Sequence, residues 1–254
     1  MITVNLDEKK IRVPESVDEL NQAQYLRLLD LNFLFLNEST PSFIAQLKVL
    51  SVLLDLDADL SVYPSWFQNE ALQFIGLAEP FLREDGAGLD LFTSRNLLPS
   101  YRGFIGPGDL LDGTDFGTFC DAMSLMRTFR DGDDEQHMWA MQKMGELFYR
   151  NGKGEQPPAE VCYHACLLFM NVFRVLTTEP VNLNGEDLDF RILFESSGRK
   201  KADDRSGWAG VAMDVAESGV FGTYQQVRET SMWDVLLFLY RKKFQSDHEK
   251  RREK

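Results

Sequence analysis

A mainly α fold, a multi-helix globular bundle with a β-hairpin at its N-terminus, is what the sequence predicts, and three observations predict it. Apolar residues recur at helical spacings through most of the chain. Helix-start signals, a Ser, Thr or Asp followed three residues later by Glu, Gln or Asp, precede several of those stripes. Period-2 alternation is confined to residues 2–13 and to Phe190, Ile192 and Phe194.

Taken in order, Ile2, Val4 and Leu6 alternate with polar residues, Asp7-Glu8-Lys9-Lys10 forms a polar turn, and Ile11 and Val13 resume the alternation. A lone hairpin is marginal in water, so this one is expected to pack on a helix. Ser16-Val17-Asp18-Glu19 has the form of a capping box and predicts a helix over 17–34 carrying Leu20, Ala23, Leu28 and Leu31. Thr40 as N-cap with Pro41 at the first helical position opens a second, with Phe43, Ile44, Leu47, Leu50 and Leu54 on one face. Ser65 to Leu82 holds further helical pattern broken near Pro80.

The stretch 84–114 is rich in Gly and Pro and reads as an irregular crossing segment. It separates an N-terminal region, 1–83, from a C-terminal helical region, 115–254, which either stand apart or form one continuous domain. Thr114 or Asp115 caps a helix to about Phe129, and Asp131-Gly132-Asp133-Asp134 starts another over 134–149. The most apolar helix, 159–177, is expected at the centre of the core. Thr178 to Arg205 is polar, with 196–205 expected to be mobile and Phe190, Ile192 and Phe194 forming a short strand. In the last module Trp208, Val211, Ala212 and Val215 make a helical stripe and Gly219 is a left-handed stop. Thr223 and Gln226 form a second capping box, Ser231 and Asp234 a weaker one, and a final helix over 231–246 frays from Asp247.

Composition sets limits on function. At 254 residues, 44% hydrophobic and 12% aromatic, the chain can bury a sizeable core. A net charge of −13, from 40 acidic and 27 basic residues, argues against broad nucleic-acid binding, which needs clustered cations. Three cysteines suit a reducing cytoplasm and no disulfide framework. No basic segment followed by an apolar one marks the N-terminus, and the apolar run Val161 to Leu176 is interrupted by Tyr163, His164, Asn171 and Arg174. A soluble cytoplasmic protein with no membrane contact is expected.

Each candidate for chemistry is weak. Asp55, Asp57 and Asp59 imitate the start of a calcium loop, but Leu60 stands where the sharp turn needs Gly and Trp66 where the bidentate Glu belongs. Cys162 and Cys166 share a helix face from which His164 points away, so buried thiols fit better than a zinc site. Gly86-x-Gly88 and Gly106-Pro107-Gly108 lack the third glycine of a dinucleotide loop. Asp109, Asp112, Asp115 and Asp121 form a dense carboxylate cluster beside the Gly-rich loop and read as caps and solvated turns. Met123, Met126, Met138, Met141 and Met144 read as core or as an adaptable apolar groove. No catalytic residue, cofactor or metal is expected.

Three stretches are similar to a family of phage and prophage proteins, especially of Bacteroidetes-type hosts. Ile11-Arg12-Val13-Pro14 through Glu19-Leu20 to Gln24-Tyr25 resembles an I-x-x-P-x-x-W-x-E-L-T-x-x-Q-Y opening, with Val17 at the Trp position and Asn21 at the Thr position. Leu98-Pro99-x-Tyr101-x-x-Phe104-Ile105-Gly106-Pro107-x-Asp109, followed by Phe116, Phe119, Ala122 and Leu147-Phe148-Tyr149-Arg150, is the second. The module Gly207-Trp208 to Leu239 is the third. The resemblance implies a non-enzymatic tail-assembly chaperone, acidic, helical and cytoplasmic, which holds a hydrophobic tape-measure protein until tube protein polymerises around it. A structural tail or injection-particle component retained in the virion is the alternative, and an enzyme using Asp109 to Asp121 a third. Homo-oligomerisation stays open. The partner, an amphipathic helix, is expected between 159–177 and 207–246, around Trp208, Phe221, Tyr224, Trp233 and Phe238, unless these five belong to the core.

Overall fold

A computed structural model describes residues 1–37, 41–84 and 88–183, then 185–194 and 207–252. The described residues are mainly helical, and the sheet among them is limited to three separate two-stranded antiparallel pairs, the first an N-terminal hairpin. The chain divides into two compact units, Met1–Leu98 and Pro99–Lys254, at a point inside the Gly/Pro-rich stretch 84–114.

In the first unit β1 (Ile2–Leu6) pairs with β2 (Lys9–Val13), and Val4, Leu6 and Val13 turn inward. The turn is two residues, Asp7 and Glu8, tighter than the four-residue turn read from the sequence. Both sit at left-handed φ, 51° and 60°, as a twist-matched hairpin turn requires. The expected cap at Ser16 does not form. Val17–Glu19 is one 3-10 turn closed by an extended Leu20, and Glu19 accepts the Glu15 N–H instead.

The helix proper, α1 (Gln22–Asn37), starts later. Gln24 N–H donates to Asn21 Oδ1 at 2.9 Å and Asn21 N–H donates to Gln24 Oε1 at 3.2 Å, a reciprocal cap. Asn21 is thus the residue that starts the helix. α2 (Ser42–Leu53) buries Ala45, Val49, Leu50, Val52 and Leu53, and Pro41 precedes its first turn. The predicted cap Thr40 lies outside the described residues. The Ser51 hydroxyl donates to Leu47 O and accepts the Leu60 N–H, tying the 3-10 turn Leu60–Val62 to α2. α3 (Ser65–Leu72) and a 3-10 segment, Ile75–Phe81, complete the unit. The 3-10 geometry lets Pro80 lie inside that segment where an α-helix would be broken.

The second unit opens with β3 (Ser100–Tyr101) and β4 (Phe104–Ile105), the latter bridged to Arg150 by two backbone bonds of 2.9 and 3.1 Å. α4 (Phe116–Asp131) is capped by Asp115, whose Oδ1 accepts the Thr118 N–H at 2.6 Å. α5 (Asp134–Phe148) has a full capping box between Asp133 and Gln136. α6 (Ala159–Thr178) packs on α5 so closely that a Cβ on Gly145 would lie 2.4 Å from Cys162 Sγ. At 20 residues α6 is longer than the run read from the sequence, and by length and composition it could cross a bilayer. Yet 56% of its apolar window is buried within the protein, on Val161, Leu168, Phe169, Val172 and their neighbours.

β5 (Val181–Leu183) and β6 (Glu186–Leu188) then form a hairpin the sequence reading did not anticipate. Arg191–Phe194, read as strand through Phe190, Ile192 and Phe194, is instead the short helix α7. The segment 196–205, expected to be mobile, lies outside the described residues. α8 (Gly207–Glu217) buries Ala212 and Val215, and Gly219 follows at φ 71°, the left-handed stop that only glycine adopts without strain. α9 (Tyr224–Glu229) carries the predicted box between Thr223 and Gln226. α10 (Met232–Arg252) continues well past Ser246.

Candidate functional site

The five aromatic side chains singled out in the sequence have partners inside the second unit. Trp208 lies edge-on to Phe119 (5.1 Å between ring centroids) and Phe116 (6.2 Å), and tilts against Phe194 at 5.6 Å. Phe119 meets Phe169 at 5.9 Å, Phe169 meets Phe148 at 5.8 Å, and Phe194 meets Phe173 at 5.4 Å. The result is a continuous aromatic ladder linking α4, α5, α6, α7 and α8. Edge-to-face rings at these distances gain stability beyond their buried area, ~0.5–1.5 kcal/mol a pair.

Phe221 and Phe238 are ring partners of each other at 5.5 Å, with Lys242 Nζ 5.0 Å over Phe238. Tyr224 faces the Arg228 guanidinium, which in turn pairs with Asp121 at 2.8 Å. Trp233 packs on Phe190 at 5.9 Å. The five side chains, all half-buried, therefore take part in several separate contacts.

An open groove lies further along α10. Leu237, Tyr240, Arg241, Phe244 and Gln245 line one side of a cavity of about 490 Å³, and Leu183, Glu186 and Leu188 line the other. The pleat explains the hairpin's contribution. Val181, Leu183, Glu186 and Leu188 share one face by register, while Asn182 and Asp187 point the opposite way and are bonded at 2.7 Å. Fully buried Phe190 wedges between Trp233 and Tyr240 (5.6 Å) and so fixes the hairpin's end against α10. Tyr240 stacks on Phe244 at 6.1 Å, and Phe244 keeps 50% of its surface exposed.

The groove is electrostatically uneven. Arg241 stands on the helix side and Glu186 on the hairpin side. From Arg241 to Arg252, α10 carries six basic and two acidic residues in a chain of net −13. Cations at a helix C-terminus offset its macrodipole, which accounts for part of this placement. It also leaves a positive helix end on an acidic protein.

Two of the four carboxylates in the cluster have structural roles. Asp115 caps α4, Asp121 pairs with Arg228, and Asp112 and Asp115 line a second cavity of about 500 Å³ with Ile105, Thr118, Phe148 and Arg150. Among the described residues no group of three or more His, Cys, Asp or Glu is placed to hold a metal. Burial pushes the Cys120 thiol up to about 12 and Cys162 to about 11, raises Cys166 further, and holds the His164 imidazole down to about 3. Thiols so raised are poor nucleophiles and ligands. His164 fits the same account as a neutral core side chain edge-on to Tyr149.

Comparison with known protein families, curated proteins and solved structures gives no match to this chain. Two signals in the sequence could have located the groove. Leu237, Tyr240 and Phe244 fall at i, i+3 and i+7, a two-turn stripe, and Asn184-Gly185 between Val-Asn-Leu and Glu-Asp-Leu is a strong hairpin dipeptide.

Proposed function

We propose that this chain is a non-enzymatic holder of an apolar helical partner, of the tail-assembly-chaperone kind that its sequence resembles. Its partner would be a phage tape-measure or tube protein in the cytoplasm of the bacterial host. The observation that carries the reading is the open groove between α10 and the β5–β6 hairpin, where Leu183, Leu188, Leu237, Tyr240 and Phe244 line one cavity together with Glu186, Arg241 and Gln245. Such a groove matches the way an amphipathic helix is recognised, through anchors at i, i+3, i+4 and i+7. It includes Leu237 of the module Gly207 to Leu239, the third of the resembling stretches. The structural employment of Asp115 and Asp121, and the raised thiols, favour a holder over an enzyme built on those groups.

The test is to tag the chain in its native host, induce particle production, and analyse both the pull-down and the purified particles by mass spectrometry. Recovery of a tape-measure or tube protein in the pull-down, with the chain absent from particles, is the expected result. Stoichiometric presence in particles would make it a structural tail component instead. Absence of particle proteins from the pull-down, and of the chain from particles, would overturn both.

A further inference from the structure

We infer that the groove between α10 and the β5–β6 hairpin selects an amphipathic helix with an acidic edge, docked so that this edge runs along α10; the inference rests on the holder reading above. The apolar part of the groove on α10 runs from Leu237 to Phe244. Those seven steps span ~10 Å at 1.5 Å per residue, two turns of a partner helix. Leu183 and Leu188 on the hairpin face the same cavity, so a helix laid there buries an apolar stripe against both walls. Phe244, stacked on Tyr240 and half exposed, is the apolar lining side chain with most surface left to cover.

Charge fixes the partner's edges. On the α10 side the groove presents Arg241. On the hairpin side it presents Glu186. A basic edge along α10 would set a like charge against Arg241, whereas an acidic edge complements it. The remainder of the chain is strongly acidic, so long-range attraction does not favour acidic partners in general. Selectivity for an acidic edge therefore has to arise locally, at Arg241.

Two rhodamine-labelled helical peptides test this against the full chain by fluorescence anisotropy. They share a Leu/Phe stripe at i, i+3 and i+7, and one has Glu and the other Lys along the edge flanking it. The Glu-edged peptide should bind and the Lys-edged one should bind at least about tenfold more weakly, with the gap narrowing at high salt. Phe244→Glu should weaken Glu-edged binding by about tenfold or more, and Arg241→Glu should reverse the preference. Both positions face solvent enough to leave the fold intact, which circular dichroism on each variant checks.

Equal binding of the two peptides, or binding indifferent to both substitutions, overturns the inference. A concentration-dependent dimer that Phe244→Glu dissolves, with neither peptide bound, assigns the groove to a second copy and overturns it too. The tagged Phe244→Glu chain separates this failure from that of the holder reading. If it recovers tail protein as well as the unaltered chain does, the groove inference falls and the holder reading stands. If the unaltered chain recovers none, the holder reading falls.

Discussion

Trp208 and Phe244 are both large aromatic residues of the C-terminal helices, and the fold treats them in opposite ways. Trp208 is set into a ladder of rings from five helices, with Phe119 edge-on at 5.1 Å and Phe194 at 5.6 Å. Phe244 stacks on Tyr240 and leaves half its surface exposed at an open cavity. Aromatic content therefore does not mark a recognition surface; what decides is how much of the ring the surrounding residues leave exposed. Trp208 sits where α4, α7 and α8 converge. Phe244 lies on α10 at the open cavity, 50% exposed.

The sharpest way to break the comparison is to truncate one ring on each side. Phe119→Ala removes a fully buried ring that touches Phe116, Phe169 and Trp208, and should cost ~3–5 kcal/mol. Phe244→Ala should stay within ~0.5–1 kcal/mol, as a surface change does. Urea denaturation midpoints of the two variants check both, and similar losses would contradict the distinction drawn here.

A second expected effect comes from acid. His164 is buried and its imidazole is held from 6.5 down to about 3 by desolvation. Below about 6.5 the unfolded chain takes up a proton that the folded chain resists, so the unfolded state gains and stability falls as pH drops towards 3. The loss is on the order of a few kcal/mol at most. His164→Gln should flatten that part of the stability–pH curve relative to the unaltered chain, and an unchanged slope would show that His164 is not its source.

How far the site was legible in the sequence depended on how many elements each signal involved. Thr223 and Gln226 form their capping box as read, because a cap is settled within four residues. Ser16–Glu19 and Asn21–Gln24 both satisfy the same pattern, and only the extended Leu20 decides between them. Phe190 and Phe194 are two apart from Ile192 but four apart from each other, so alternation and a helical turn could not be told apart. The aromatic residues of the last module were visible, but their employment was not. That Trp208 meets Phe119 is a contact over a long stretch of chain, whereas the stripe Leu237, Tyr240 and Phe244 was local and readable.

Smaller effects sharpen the picture of the closed side. Gly145→Ala would push a methyl to 2.4 Å from Cys162 Sγ and within 3.0 Å of its Cα, so α5 and α6 must part. A cost of ~1–3 kcal/mol is expected from such overpacking, measured as a lowered Tm. Thr223→Ala removes the side-chain cap of α9, worth ~1 kcal/mol, and should lower the same Tm less. A larger loss at Thr223 than at Gly145 would mean that the short α9 matters more to the unit than the α5–α6 contact.

The most direct measurement is an amide-shift titration of the isotope-labelled chain with the Glu-edged apolar helix. The account predicts perturbations centred on Leu183, Leu188, Leu237, Tyr240, Arg241 and Phe244, with the ladder around Phe119 and Trp208 unmoved. Shifts centred on Trp208, Phe221 and Tyr224, or none at any ratio, would contradict it.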